Sequence, residues 1–447
     1  MKLTAKPTAR GVGAGLAAGA ALVLASACTG STADPSGSES AADPVDVVIT
    51  PGDGATGVRP DVPLTVEADG GKVTDVQVVQ EVPGGTASED AQTGEETGED
   101  GGGDGEGGAS EADTVTGTLS DDGATWTSDW NLVPGGDVTV EAVVENAAGE
   151  EQEYTAQFST AAAEQGNALE LESNFPTSGD TVGVGMPVIV NFDLPVENKS
   201  RVENSMEVVS EEPNEGSWAW LDDQTAVFRP KEYWKPNQKV AVNMRLAGVD
   251  AGGGTYGVEN HRLEFEVGRD QRTTIDAQSH RMVVERDGEE IKDFPTSVGK
   301  ANTRAYTTTS GNHLTMEKYA NLVMDSSTVG VPVDSPEGYK LDVDYAVRFS
   351  NSGEFTHAAP WNGSLGEANL SHGCPNMATS DAKWFYENSY MGDPLEVTGT
   401  DRQVEWDNGW SYWELSWEDW LAKSETGEPD TTDDTGTPGS VHGDPQE

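Results

Sequence analysis

The sequence predicts a mainly β protein: two β-sandwiches in tandem, then a β-rich third domain with a short helix and a Trp-rich end. Three observations carry this. Short apolar/polar alternations of period two recur from residue 44 onward, separated by Gly/Pro/Asp turns. Their order is repeated once. Past residue 270 the β pattern continues, and only residues 379–390 have helical spacing.

In the first sandwich, residues 44–160, alternating runs at 45–49, 64–68 and 73–79 surround a turn at Pro51-Gly52-Asp53-Gly54. Trp126 and Trp130 then lead through Pro134-Gly135-Gly136 to runs at 138–144 and 154–158. Strands at this spacing suit a sandwich of about 100 residues. The second, residues 168–268, echoes the first. Phe175-Pro176 and Gly179-Asp180 precede residues 188–192; Trp218 and Trp220 lead to 227–230 and Lys235-Pro236-Asn237; residues 261–267 close it. Tandem sandwiches make a spacer of about 70–90 Å. Their tryptophans read as core rather than ligand platforms.

The third domain spans residues 270–400. Runs at 274–277 and 282–285 flank His280-Arg281, and residues 285–288 read as a hairpin turn. On the helix, Ser380 or Asp381 is the expected cap, and Ala382, Phe385 and Tyr386 the buried stripe. In residues 401–421, Trp410, Trp413, Trp417 and Trp420 recur at spacings that share one helical face. Packing against the neighbouring domain is the expected role, with glycan stacking the lesser alternative.

The formal net charge is −53, and the apolar fraction of 35% is low for one compact body. Such charge argues against nucleic acid or an anionic membrane surface as partner. Much of it lies in an insertion, 84–114, and a tail, 422–447. Residues 86–113 carry ten Asp/Glu and no Lys or Arg. Both segments are expected to be disordered, because they cannot bury enough apolar surface to offset chain entropy.

Residues 1–27 read as a signal peptide. Lys2, Lys6 and Arg10 precede an apolar run too short for a comfortable span, then small Ala25-Ser26-Ala27. Cys28 directly follows and reads as a lipid attachment site, with residues 28–43 as a tether. The mature chain is therefore expected outside the cell, held to the membrane by lipid alone.

The other cysteine, Cys374, lies in Ser371-His372-Gly373-Cys374-Pro375-Asn376, seventeen residues after His357. A thiol is mostly protonated at neutral pH, so attack on an amide needs a base and an oxyanion site. If residues 355–359 form one strand and residues 371–374 cap the next, both imidazoles can approach the sulfur. Gly373 permits a backbone that turns N–H groups inward. His261, His280, His313 and His442 show no ligand spacing, so no metal is expected.

Residues 273 to about 421 resemble the L,D-transpeptidase catalytic domain, the YkuD-type fold. The resemblance rests on residues 324–327, 330–333, 335–339, 355–361, 371–376 and 382–386, in the form of the actinobacterial branch. In that branch two immunoglobulin-like domains precede the catalytic domain on a lipid or membrane anchor. The resemblance implies Cys374 as nucleophile and His357 as proton acceptor and donor, oriented by the carbonyl of Ala358, where relatives often have Ser. It implies a supporting role for His372 and an oxyanion role for the N–H groups of Gly373 and Cys374. Tyr339 would cover the pocket from a flap, Met324 would line it, and Ser371 and Asn376 would bind substrate or loop backbone. Many relatives have Arg where Asn376 stands, and an aliphatic residue in place of Pro375.

The implied reaction is formation of 3→3 peptidoglycan cross-links. A donor tetrapeptide stem loses its terminal D-Ala to form a Cys thioester, which the side-chain amine of a diamino acid on an acceptor stem resolves. The same thiol would be acylated by carbapenems, and no cofactor is required. An L,D-carboxypeptidase or D-amino-acid exchange enzyme would use the same thioester, and a non-catalytic wall-binding lipoprotein is a third reading. Oligomeric state is left open.

Overall fold

The computed structural model describes residues 45–81, 114–336, 338–436 and 439–444. The signal peptide, Cys28, the tether and nearly all of the acidic insertion lie outside the described residues. The chain divides into two compact units, with the second sandwich and the third domain together in one of them.

The first unit has a four-stranded antiparallel sheet, in the order Asp46–Thr50, Thr65–Asp69, Thr125–Ser128, Gly117–Leu119. Its three-stranded sheet is Gly71–Glu81, Asp137–Asn146, Glu151–Ser159. Period-two alternation sets which face is buried: Val138, Val140, Ala142 and Val144 point inward, where Leu64, Trp126, Leu132 and Phe158 meet them.

In the second unit, the sandwich pairs a four-stranded sheet ending at Met206–Ser210 with a five-stranded one that includes Glu215–Trp220, Thr225–Pro230 and Val188–Phe192. Trp218, Trp220 and Trp234 are core. Their indole N–H groups donate to Met206 O, Glu203 Oε1 and Met186 O, the condition for burying an indole.

The expected disorder of the tail is corrected over residues 424–432. Glu203 is buried in the sandwich, and its carboxylate accepts from Ser424 Oγ (2.7 Å) and the N–H groups of Glu425 (2.8 Å) and Thr426 (3.2 Å). Asp430–Thr431 then pairs with Glu215 and Gly216 as an edge strand, and Thr432 is buried against Ser210. Backbone N–H donors, which composition does not register, dock an acidic segment onto an acidic side chain.

The catalytic region has a five-stranded sheet, Glu289–Pro295, Arg281–Arg286, Gln271–Asp276, Pro394–Thr398, Gly311–Leu314. The four-stranded sheet that carries the site is Lys318–Asp325, Lys340–Arg348, Phe355–Ala358, Asn376–Met377. Asp287 and Gly288 both have positive φ, which the hairpin between Arg281–Arg286 and Glu289–Pro295 requires. The helix runs Thr379–Asn388 and buries Ala382 and Phe385, with Tyr386 half-covered. Its N-cap is Ala378, not Ser380 or Asp381, and it has no side-chain cap.

The Trp-rich segment is not one helix. Tyr412–Glu414 is a 3₁₀ turn, and a new helix, Trp417–Leu421, starts at Ser416, whose hydroxyl accepts from Asp419 N–H. Trp410 and Trp420 nevertheless join the core of the second sandwich, and Trp420 is fully buried. The buried Arg229 guanidinium lies over Trp413 (4.7 Å), Trp420 (4.9 Å) and Trp417 (5.6 Å). With Gly185 N–H bonded to Gly392 O and Trp413 Nε1–H to Gly185 O, these contacts fasten the second sandwich to the catalytic region.

Candidate active site

The strand Phe355–Ala358 pairs in parallel with Asn376–Met377, placing His357 opposite Asn376 and Cys374 two residues before that pair. The loop 371–376 that carries Cys374 is held from both sides. Residues 297 and 299 bridge to 376 and 371, His357 N–H donates to Pro375 O, and Thr308 Oγ1 donates to Gly373 O at 2.5 Å. Gly373 has φ 131°, a conformation that favours glycine.

His357 is buried, and its two nitrogens are distinguished by their partners. Nδ1 lies 2.8 Å from Ala358 O, which can only accept, so Nδ1 carries the hydrogen. Nε2 is then a bare lone pair, occupied by the Asn376 side-chain N–H at 3.1 Å. That amide also donates to Cys374 O at 3.2 Å, while its oxygen accepts from Asn362. The Cys374 thiol donates to Gly353 O at 3.6 Å, so the expected thiol–imidazole hydrogen bond is not made in this resting arrangement.

Electrostatics agree with a neutral pair. Burial pushes the Cys374 thiol up to about 12; the Phe355 N–H opposes the rise and the Glu354 charge adds to it. Burial pushes His357 below its usual value, opposed by the bond to Ala358 O. Neither group is charged at neutral pH.

His372 is exposed, wedged between Tyr306 (4.8 Å) and Tyr339 (5.3 Å), with Nε2 3.3 Å from Lys300 Nζ. Tyr339 is tied to Ser326: its N–H donates to Ser326 Oγ and its carbonyl accepts from Ser326 N–H. Burial pushes its phenol up to about 12. Ser371 Oγ accepts from Gly373 N–H at 3.1 Å, so one expected oxyanion donor is already engaged. A cavity of about 370 Å³ is lined by Met324, Tyr339, His357, Ser371, His372, Cys374 and Asn376. No cluster of metal-ligating side chains occurs among the described residues.

The sequence matches two family models: the L,D-transpeptidase catalytic domain (YkuD) over residues 270–397, and a bacterial Ig domain over residues 108–250, across the junction of the two sandwiches. L,D-transpeptidase 2 of Mycobacterium tuberculosis is 33% identical over 373 residues, 83% of this chain and 82% of that one. The chain belongs to the L,D-transpeptidase family. L,D-transpeptidase 5 of the same species is 37% identical over 253 residues, 55% of this chain and 54% of that one. A solved structure of the LD transpeptidase LdtMt1 in complex with imipenem is 34% identical, covering 51% of this chain and 98% of that chain with a TM-score of 0.45. The protein is an acyltransferase of peptidoglycan cross-linking, which places its work outside the cytoplasm.

Sequence reasoning missed part of this L,D-transpeptidase site. Trp361 and Leu370 are 58% and 52% exposed and line the cavity. Trp361 stands four residues after His357, the one signal available in the sequence. Leu341 and Asn362 also line the cavity, and nothing in their spacing marks them.

Proposed function

We propose that Cys374 and His357 form 3→3 peptidoglycan cross-links on a membrane-tethered chain. The observation that carries this reading is the tautomer of His357, whose unprotonated Nε2 belongs to a side chain lining the same cavity as the thiol. The sulfur attacks the carbonyl carbon before the terminal D-Ala of a donor tetrapeptide, and its proton passes to Nε2 once the Asn376 amide has turned away from it. The carbon–nitrogen bond breaks, the same proton goes to the leaving D-Ala amine, and a thioester remains. The side-chain amine of a diamino acid on an acceptor stem then attacks, its proton passes to Nε2 and on to the sulfur as the carbon–sulfur bond breaks, and the thiol is restored. Cys374 N–H and the Tyr339 hydroxyl stabilise the oxyanion, joined by Gly373 N–H once it leaves Ser371 Oγ. Met324, Ser371 and Asn376 contact the stem, and His372 holds Tyr339 in place. Acylation of Cys28 anchors the chain at the outer membrane face.

The test is product analysis by mass spectrometry. The protein is incubated with a disaccharide tetrapeptide in the presence and absence of excess diamino-acid amine. Cross-linked product with release of D-Ala supports the reading. Tripeptide alone, unchanged by added amine, replaces it with hydrolysis.

A further inference from the structure

We propose that Glu354 is a positioning residue for the nucleophile: its buried carboxylate fixes the turn whose Gly353 carbonyl holds the Cys374 thiol and places a negative charge on that turn. This rests on Cys374 being the nucleophile.

Residues 349–354 connect the strands Lys340–Arg348 and Phe355–Ala358 through a tight turn. A glutamate closing such a turn ordinarily points to solvent. Glu354 is 4% exposed. Its two oxygens accept from Thr309 N–H (2.7 Å), Thr309 Oγ1 (2.8 Å), Ser350 Oγ (2.8 Å) and Ser352 Oγ (2.9 Å). Such a set of donors is what an ionised carboxylate needs to be buried. Asn408 ties the turn down further, accepting from Ser352 N–H and donating to Ser352 Oγ, both at 2.9 Å.

The two peptide units flanking Glu354 both meet the sulfur. Gly353 O accepts the thiol proton, and Phe355 N–H donates to the sulfur. A side chain that fixes Glu354 therefore fixes both backbone groups, and its charge opposes early loss of the proton. The thiol stays protonated until a bound substrate brings sulfur and His357 Nε2 together. The other titratable groups around the sulfur are His357, Tyr339 from the flap, and His372 with Lys300 at the rim. Glu354 is itself faced by His313, with Glu414 beyond. His313 is buried and pushed below its usual value by that burial, so it stays neutral and does not cancel the charge.

The test measures alkylation of Cys374 by iodoacetamide against pH, by intact mass on the full chain. Glu354→Gln removes the charge, and Thr309→Val loosens the clamp but keeps it. Alkylation at pH 8 should rise about 3–10-fold in Glu354→Gln, corresponding to a fall of about half to one pKa unit, and rise by less in Thr309→Val, which frees the turn only in part and leaves the charge in place. Equal acceleration in both, or none in a folded Glu354→Gln, overturns the proposal. If Glu354→Gln does not fold, Glu354→Val removes the same charge with an apolar side chain. Failure of both to fold beside a folded Thr309→Val assigns Glu354 to the fold and overturns the proposal too. Wild-type chain that a carbapenem does not acylate refutes Cys374 as nucleophile; acylated wild type with unchanged Glu354 variants refutes only this inference.

Discussion

Two reagents that differ in their need for His357 should report opposite pH behaviour at one sulfur. Burial moves the Cys374 thiol from 9.0 to about 12, a cost to the thiolate of about 4 kcal/mol. At pH 7.5 the thiolate fraction is then about 3 in 100,000, against roughly 3% for an unshifted thiol. Iodoacetamide reacts only with thiolate, so alkylation should be about a thousandfold slower than for a thiol of 9.0 and still be rising at pH 10. On the proposed mechanism a carbapenem recruits His357 as base. Neutral imidazole is the active form, and burial holds its pKa below 6.5. Acylation should therefore be flat from pH 7 to 9 and be lost only as pH falls below 6.5. Both rates are read by intact mass. An alkylation plateau below pH 8 would mean a preformed thiolate–imidazolium pair and refute the neutral resting state.

Other perturbations test the positioning of these groups. Asn376→Asp sets a carboxylate against Nε2, which favours imidazolium; the acid limb of carbapenem acylation should move up by about one pH unit, checked by the same profile. Trp420→Ala empties a fully buried site and removes the bond from Nε1 to Ser217 O. The second unit should lose about 3–5 kcal/mol in urea unfolding. Truncation after Lys423 strips three donors from the buried Glu203 carboxylate and uncovers the Glu215–Trp220 edge. It should cost about 3 kcal/mol or more, seen as an earlier unfolding transition, with acylation of the intact site unchanged.

The strand pattern and the meeting of the Cys374 loop with His357 were legible in the sequence because each depends on neighbours. Val138 to Val144 alternate in the text as they do in the sheet, and Val188–Phe192 and His261–Val267 fall where their apolar runs predict. Cys374, His357 and Asn376 come together because two strands pair at that register. What was not legible depends on contacts between distant residues. The partner of the resting thiol is a backbone carbonyl, Gly353 O, which no side-chain motif encodes. Glu354 looks like an ordinary surface acid until Thr309, forty-five residues earlier, is seen to face it. The tail reads as solvated because its charges are counted without the backbone N–H groups that Glu203 binds. The tryptophan spacing predicted one helical face, but Ser416 caps a second helix and the tryptophans reach the core from separate turns.

The central claim is that Cys374 carries the acyl group with His357 as its base. It is tested most directly by intact mass of the full chain after incubation with a carbapenem, beside Cys374→Ala and His357→Ala. One adduct is expected on wild type, none on Cys374→Ala, and acylation slowed by about 100-fold or more in His357→Ala. An adduct that persists in Cys374→Ala, or a folded wild-type chain that takes none, would contradict it.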